Sequence, residues 1–241
     1  MSSQVVLYDL PSKQGTAWSL NPWKTRMILN YKGIDYKTEW VEYPDLAPTF
    51  KSFGLPPTDK NAPGYFTDYS SPAIKYEDEK YEMDSWPIAR SLETRYPEPS
   101  LQLDDPINVK IRDYIEKLMG PIVPHAIPKV VYLLNERSAT YFNETREKIF
   151  GAPLSEIEKS ANEEHWEQAK APAKAVGDML REHEGPFFLG EKVSYADFIF
   201  VSLLQMMKRI NKEGLFDRYM ALDPAFPKIF DACKPWLEKE T

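Results

Sequence analysis

Two adjacent polar residues, Asp84 and Ser85, have the types and the position needed to bind a charged ligand. Ile88, Ala89 and Leu92 follow at helical spacing, so a helix is predicted to begin at this pair. A helix N-terminus offers free N–H groups and positive potential that suit a carboxylate, and the Ser85 hydroxyl adds a donor. The Asp84 carboxylate suits an ammonium. The pair therefore fits a ligand that carries an ammonium and a carboxylate on one carbon. Helix capping alone also explains an Asp-Ser pair at this position.

The pair belongs to a segment, residues 71–96, whose pattern predicts a strand, a turn, a strand and a helix. The apolar residues 72–74 predict the first strand, and the charged residues 77–80 predict the turn. Residues 81–83 predict the second strand. Pro87 falls in the first turn of the helix, where a missing N–H costs little.

Composition restricts the class of protein. The chain has 241 residues, enough for two modest domains, and a formal charge of −7. An acidic surface argues against nucleic acid or an anionic membrane as the main partner. A single cysteine, Cys233, excludes a disulfide framework, and the three histidines are too scattered for a metal cluster. With neither a leader pattern nor a long apolar run, the sequence predicts a soluble, cytoplasmic protein.

The chain before this segment carries an alternating pattern of strands and helices. Residues 4–10 predict a first strand, and a helical pattern runs from Pro22 to Gly33. Residues 36–43 predict a second strand, and an irregular stretch with one short helix around 47–53 follows. This β-α-β opening precedes the β-β-α segment described above.

The remainder of the chain is predicted to be helical. We divide the sequence into an α/β domain at 1–96, a Pro-rich acidic linker at 97–106 and an all-helical domain at 107–241. Prolines should break the helix that starts near Ile107. Residues 155–158 have the form of a capping box and predict a long polar helix, which Pro172 should interrupt.

A second capping box, residues 194–197, precedes a run that is apolar nearly all round. With its flanks, FFLGEKVSYADFIFVSLL, it resembles the core helix of glutathione transferases. Ser71-Pro72 and Asp84-Ser85 also stand at that family's spacing, where a cis-proline opens the third strand and an acidic-Ser pair follows. The resemblance implies an α/β thioredoxin-like N-terminal domain plus an all-α C-terminal helical bundle.

The same resemblance implies glutathione as co-substrate, no metal, and a homodimer. Asp84 and Ser85 would hold the γ-glutamyl group, and the backbone at Ser71-Pro72 would pair with the cysteinyl part. Family members lower the pKa of the glutathione thiol with one side chain near the first helix. That side chain is Tyr, Ser or Cys in different classes, and this chain has no cysteine there.

Three hydroxyl residues, Tyr8, Ser12 and Ser19, lie near the predicted first helix. Residues 17–26, AWSLNPWKTR, resemble a Trp-Ser-Pro-Asn-Thr-Trp-Lys-Thr-Arg motif of fungal transferases related to bacterial β-etherases, in which the Ser activates the thiol. Leu20 and the proline two residues later depart from it. Ser19 is thus the predicted catalytic residue, with a simple helix cap as the alternative. Tyr8 has the position of a core strand residue.

Residues 29–34 and 41–45 extend the resemblance to the fungal class called FuA, whose members are associated with aromatic compounds of wood degradation. This implies a transferase for apolar, aromatic electrophiles, with etherase-like or peroxidase side activity. Trp18 and Trp23 could border the electrophile pocket, although Trp23 also fits a core position. A non-catalytic carrier of aromatic ligands, or a regulatory module on the same fold, are the alternatives.

Overall fold

The computed structural model describes residues 4–62 and 65–240. Its first half is a four-stranded sheet with three helices. The order along the chain is β1 Val5–Asp9, α1 Leu20–Tyr31, β2 Tyr36–Trp40, α2 Leu46–Ser52, β3 Ala73–Lys75, β4 Tyr81–Met83 and α3 Ser85–Arg95. The sheet order is β2-β1-β3-β4, with β1 and β2 parallel and the other two pairs antiparallel. This mixed sheet confirms the predicted thioredoxin-like fold class.

The strand β1 lies inside the sheet and explains the apolar run that predicted it. All five of its residues are buried, and Leu7 pairs with Thr38 on one side and with Ile74 on the other. The second strand ends at Trp40, earlier than predicted. Residues Tyr43–Asp45 form a 3₁₀ turn there, with Pro44 at a position that needs no N–H.

The second half of the chain is helical, as predicted. Its helices are α4 Pro106–Met119, α5 Val123–Ala126, α6 Glu136–Phe150, α7 Leu154–Lys159, α8 Glu163–Leu180, α9 Tyr195–Ile210, α10 Arg218–Met220 and α11 Ala225–Ala232. Two 3₁₀ segments, Gly120–Ile122 and Ile127–Tyr132, flank α5 and confirm the predicted break at the prolines. None of the helices within 4–62 and 65–240 is both long and apolar enough to cross a membrane.

Two local predictions in this half are wrong. Residues 155–158 do not start the long helix, because they lie within α7, whose first residue is the buried Leu154. The long helix α8 begins after Asn162, whose side chain accepts a bond from the Glu164 N–H. Pro172 does not interrupt α8. The carbonyl that loses its partner belongs to Gln168, on the exposed face, where water can replace the missing bond.

The buried helix α9 joins the two halves of the molecule. Its predicted capping box is present, since the Asp197 carboxylate accepts from the N–H of Ser194 at 2.7 Å. Every residue from Tyr195 to Met207 is buried, and α9 packs against both α1 and α4. The start of α9 thereby reaches α3: the Tyr195 hydroxyl donates to the Ser85 carbonyl at 3.1 Å.

Candidate functional site

A cavity of about 760 Å³ lies where the start of α1, the loop before β3 and the helix α6 meet. This volume is within the usual range for small-molecule sites. Ser19 and Ser71 both line it. Much of the rest of its wall is aromatic, including Trp18, Tyr43, Phe66, Tyr141, Phe142 and Phe150. We call this space the aromatic cavity.

Ser19 is the residue directly before α1. Its backbone is extended, with φ −78° and ψ 139°, and its carbonyl accepts a bond from the N–H of Trp23 at 3.2 Å. Its hydroxyl makes no capping hydrogen bond within the described part of the chain, although the residue stands at the N-cap. The helix starts at Leu20, two residues before the predicted Pro22, which fits within the first turn. Ser19 thus lines the aromatic cavity with a hydroxyl that does not cap α1.

Ser71 and Pro72 connect the aromatic cavity with Asp84. The peptide bond between Ser71 and Pro72 is cis. The buried Ser71 hydroxyl donates to the carbonyl of Tyr8 at 3.0 Å, and the Pro72 carbonyl accepts from the N–H of Asp84 at 3.1 Å. These bonds fix the cavity wall relative to the start of α3.

Asp84 and Ser85 occupy the N-terminus of α3, as predicted. Asp84 has φ +79°, a left-handed conformation that is uncommon for a residue other than glycine and is concentrated at ligand sites. Its carboxylate accepts a bond from the Trp86 N–H at 3.3 Å, so it does cap the helix. That bond occupies one oxygen, and a carboxylate can accept further hydrogen bonds from a ligand. Ser85 is buried beside it.

The two predicted tryptophans differ in placement. Trp18 is buried in the wall of the aromatic cavity, with its ring 6.4 Å from that of Tyr43. Its indole N–H has no partner in the described residues. Trp23 does not line the cavity, because it is fully buried in the hydrophobic core on the inner side of α1. The structure thus brings together Trp18, Ser19 and Ser71, and leaves Trp23 in the core.

Known protein families match both halves of the chain. The family model of the glutathione S-transferase N-terminal domain matches residues 18–95, and that of the C-terminal domain matches residues 111–236. The glutathione S-transferase-like protein ustS of Aspergillus flavus is 36% identical, with 92% of this chain and 86% of that protein covered. The chain belongs to the glutathione S-transferase family.

Two solved glutathione transferases share this fold. GSTFuA3 from Phanerochaete chrysosporium is 28% identical with a TM-score of 0.88, and each chain is covered fully. A transferase of Ceriporiopsis subvermispora, solved in complex with glutathione, is 30% identical with a TM-score of 0.88 over 99% of each chain. The predicted resemblance to FuA-type transferases is confirmed.

Lys24 of this transferase is a buried cation near Asp84 that the sequence analysis did not single out. It lies in α1, is almost fully buried, and donates to the Asn21 side chain at 2.9 Å. Burial lowers the pKa of Lys24 to about 8, while the nearby Asp84 carboxylate opposes that shift and Arg112 adds to it. Lys24 therefore lies within electrostatic range of Asp84. The sequence signal for this buried cation was a lysine inside the predicted first helix, between Trp23 and Thr25.

The other two hydroxyl candidates of this transferase are engaged elsewhere. Tyr8 is buried among aromatic rings, with its centroid 5.0 Å from that of Phe53, and burial raises its pKa well above the ordinary range. The Ser12 hydroxyl donates to the Thr16 carbonyl at 2.8 Å within its own loop. Cys233 is fully buried in the core, where burial raises the pKa of its thiol. Among these candidates, only Ser19 lines the aromatic cavity.

Proposed function

We propose that this glutathione transferase conjugates glutathione to apolar, aromatic electrophiles, with Ser19 as the side chain that stabilises the thiolate. The observation that carries the proposal is that Ser19 lines the aromatic cavity while its hydroxyl makes no capping hydrogen bond to α1. An ordinary thiol has a pKa of about 8.5, and lowering it by about two units corresponds to about 2.7 kcal/mol. One hydroxyl donor together with the N-terminus of α1 can supply an effect of this size.

The remaining residues bind and orient glutathione. Asp84 pairs with the α-ammonium of the γ-glutamyl group, and the N–H groups and hydroxyl at Ser85 receive its carboxylate. The backbone at Ser71-Pro72 pairs with the cysteinyl part. The thiolate then forms a carbon–sulfur bond with an electrophile held against Trp18, and the leaving group departs with its electron pair. Wood-derived aromatic compounds are the proposed source of substrates, and the proposed assembly is a homodimer.

A non-catalytic carrier of aromatic compounds is the second candidate, because the size and aromatic wall of the cavity serve binding alone equally well. Conjugation of glutathione to 1-chloro-2,4-dinitrobenzene distinguishes the two. We expect saturable turnover that falls in Ser19→Ala, with glutathione binding retained. Glutathione and aromatic ligands that bind without any turnover would instead establish a carrier.

A further inference from the structure

Arg146, on α6, places its guanidinium in the aromatic wall of the cavity. The guanidinium carbon lies 4.2 Å from the ring centroid of Phe142, 4.7 Å from that of Phe66 and 5.6 Å from that of Tyr43. Arg146 is half-buried and lines the cavity itself. Rings on several sides hold the guanidinium in position, so its charge lies beside the space that a ligand would occupy.

No carboxylate neutralises this guanidinium within residues 4–62 and 65–240. Its guanidinium donates hydrogen bonds to two neutral hydroxyls, that of Thr145 at 3.0 Å and that of Tyr43. Tyr43 does not supply a negative charge, because burial raises its pKa to about 12. Burial lowers the pKa of Arg146, because removing a charged guanidinium from water is unfavourable. A partly desolvated cation with only neutral partners is stabilised by a bound anion.

The charged residues of the cavity wall are mostly cationic, although the whole chain carries a charge of −7. Lys51, Arg146 and Lys148 line the cavity, against a single described carboxylate, Asp68, which accepts a bond from Tyr65. Such a local reversal of sign concentrates anions at the site. Glutathione is itself an anion, but its proposed contacts lie at the start of α1 and around β3 and α3, whereas Arg146 belongs to α6.

We propose that the second substrate of this transferase is an aromatic carboxylate, whose ring packs against the wall at Phe142 and Tyr43 while its carboxylate pairs with Arg146. The inference rests on the proposed function and specifies its substrate class. A carboxylate fits because the planar guanidinium can donate two parallel hydrogen bonds to it. Conjugation of such a substrate would occur at an electrophilic carbon away from the carboxylate, which takes no part in the bond exchange.

The test compares biphenyl-4-carboxylate with biphenyl-4-carboxamide, which have nearly the same shape and differ in charge. Calorimetry is performed on glutathione-saturated protein. We expect the wild type to bind the acid at least about tenfold more tightly than the amide, the usual effect of a charge-assisted pair. Arg146→Met should remove most of that preference and leave amide binding within about twofold. Arg146→Lys should retain part of it, since the charge remains.

Lys159→Met is the matched control, because Lys159 is exposed on α7, does not line the cavity, and its loss changes the net charge equally. It should reduce acid binding by less than about twofold. Equal affinity for acid and amide in the wild type would overturn the inference. An equal loss in Lys159→Met, or an acid that competes with glutathione, would also overturn it. The same titrations without glutathione keep this inference separate from the proposed function, which fails if glutathione neither binds nor reacts.

Discussion

The hydroxyl of Tyr195 donates a 3.1 Å hydrogen bond to the carbonyl of Ser85. Tyr195 is the first residue of α9 and is fully buried, while Ser85 is the first residue of α3. The helical domain thus contacts the backbone of the very residue that we propose for the γ-glutamyl carboxylate. The orientation of the site depends on packing between the two domains as well as on the local sequence.

Tyr195→Phe should therefore affect both stability and glutathione binding. We expect the free energy of unfolding to fall by about 0.5–1.5 kcal/mol, the net worth of one hydrogen bond. The glutathione dissociation constant should rise severalfold, since the start of α3 loses a contact. Urea denaturation and calorimetry measure the two effects. Tyr31→Phe is the control, because its hydroxyl reaches Ser100 away from the site, at 3.5 Å. Unchanged glutathione binding in Tyr195→Phe would contradict the structural link.

Asp84→Asn separates the proposed ammonium contact from helix capping. Asparagine tolerates a positive φ and can accept the bond from the Trp86 N–H, so the variant should fold normally. Its lost charge should weaken glutathione binding by about 1–3 kcal/mol. Asp84→Ala should show the same loss of affinity and also a loss of stability, because alanine neither caps the helix nor favours this conformation. A folded Asp84→Asn variant with wild-type affinity would remove Asp84 from the site.

The capping carboxylate of α9 should make stability depend on pH. Burial raises the pKa of Asp197 to about 6, above an ordinary value of 3.8. Between pH 4 and 6 the native state then holds a proton that the unfolded chain has released. The contribution of Asp197 to the free energy of unfolding therefore decreases as pH rises. Two pKa units correspond to about 3 kcal/mol. Relative to Asp197→Asn, the wild type should lose stability across this window. A pH-independent difference in urea denaturation would contradict the shift.

Features set by neighbouring residues were predictable from the sequence. The order of elements in 71–96 follows from a short apolar run, a charged turn and apolar residues at helical spacing, and it is confirmed by β3, β4 and α3. The Ser194 to Asp197 box also holds, because an i to i+3 contact needs no distant partner. The boundary at 97–106 stays a prediction, as do the roles of the proposed glutathione residues.

Features set by distant contacts were not predictable. Whether residues 155–158 begin a helix depended on the burial of Leu154, which their own polar pattern does not specify. Arg146 enters the aromatic cavity only because α6 packs beside the turn at Tyr43. Trp18 precedes α1 and lines the cavity, whereas Trp23 lies within α1 and is buried in the core. Such outcomes depend on the packing of whole elements.

The central claim is that Ser19 lowers the pKa of bound glutathione. The direct measurement is the ultraviolet absorbance of the bound thiolate, titrated against pH in wild type, Ser19→Ala and Tyr8→Phe. Ser19→Ala should move the thiol titration alkaline by about one unit or more and lower turnover at neutral pH about tenfold, since about 1.4 kcal/mol is a factor of ten. Glutathione should remain bound, because Asp84 and Ser85 are untouched. A titration that moves in Tyr8→Phe and stays in Ser19→Ala would contradict the account.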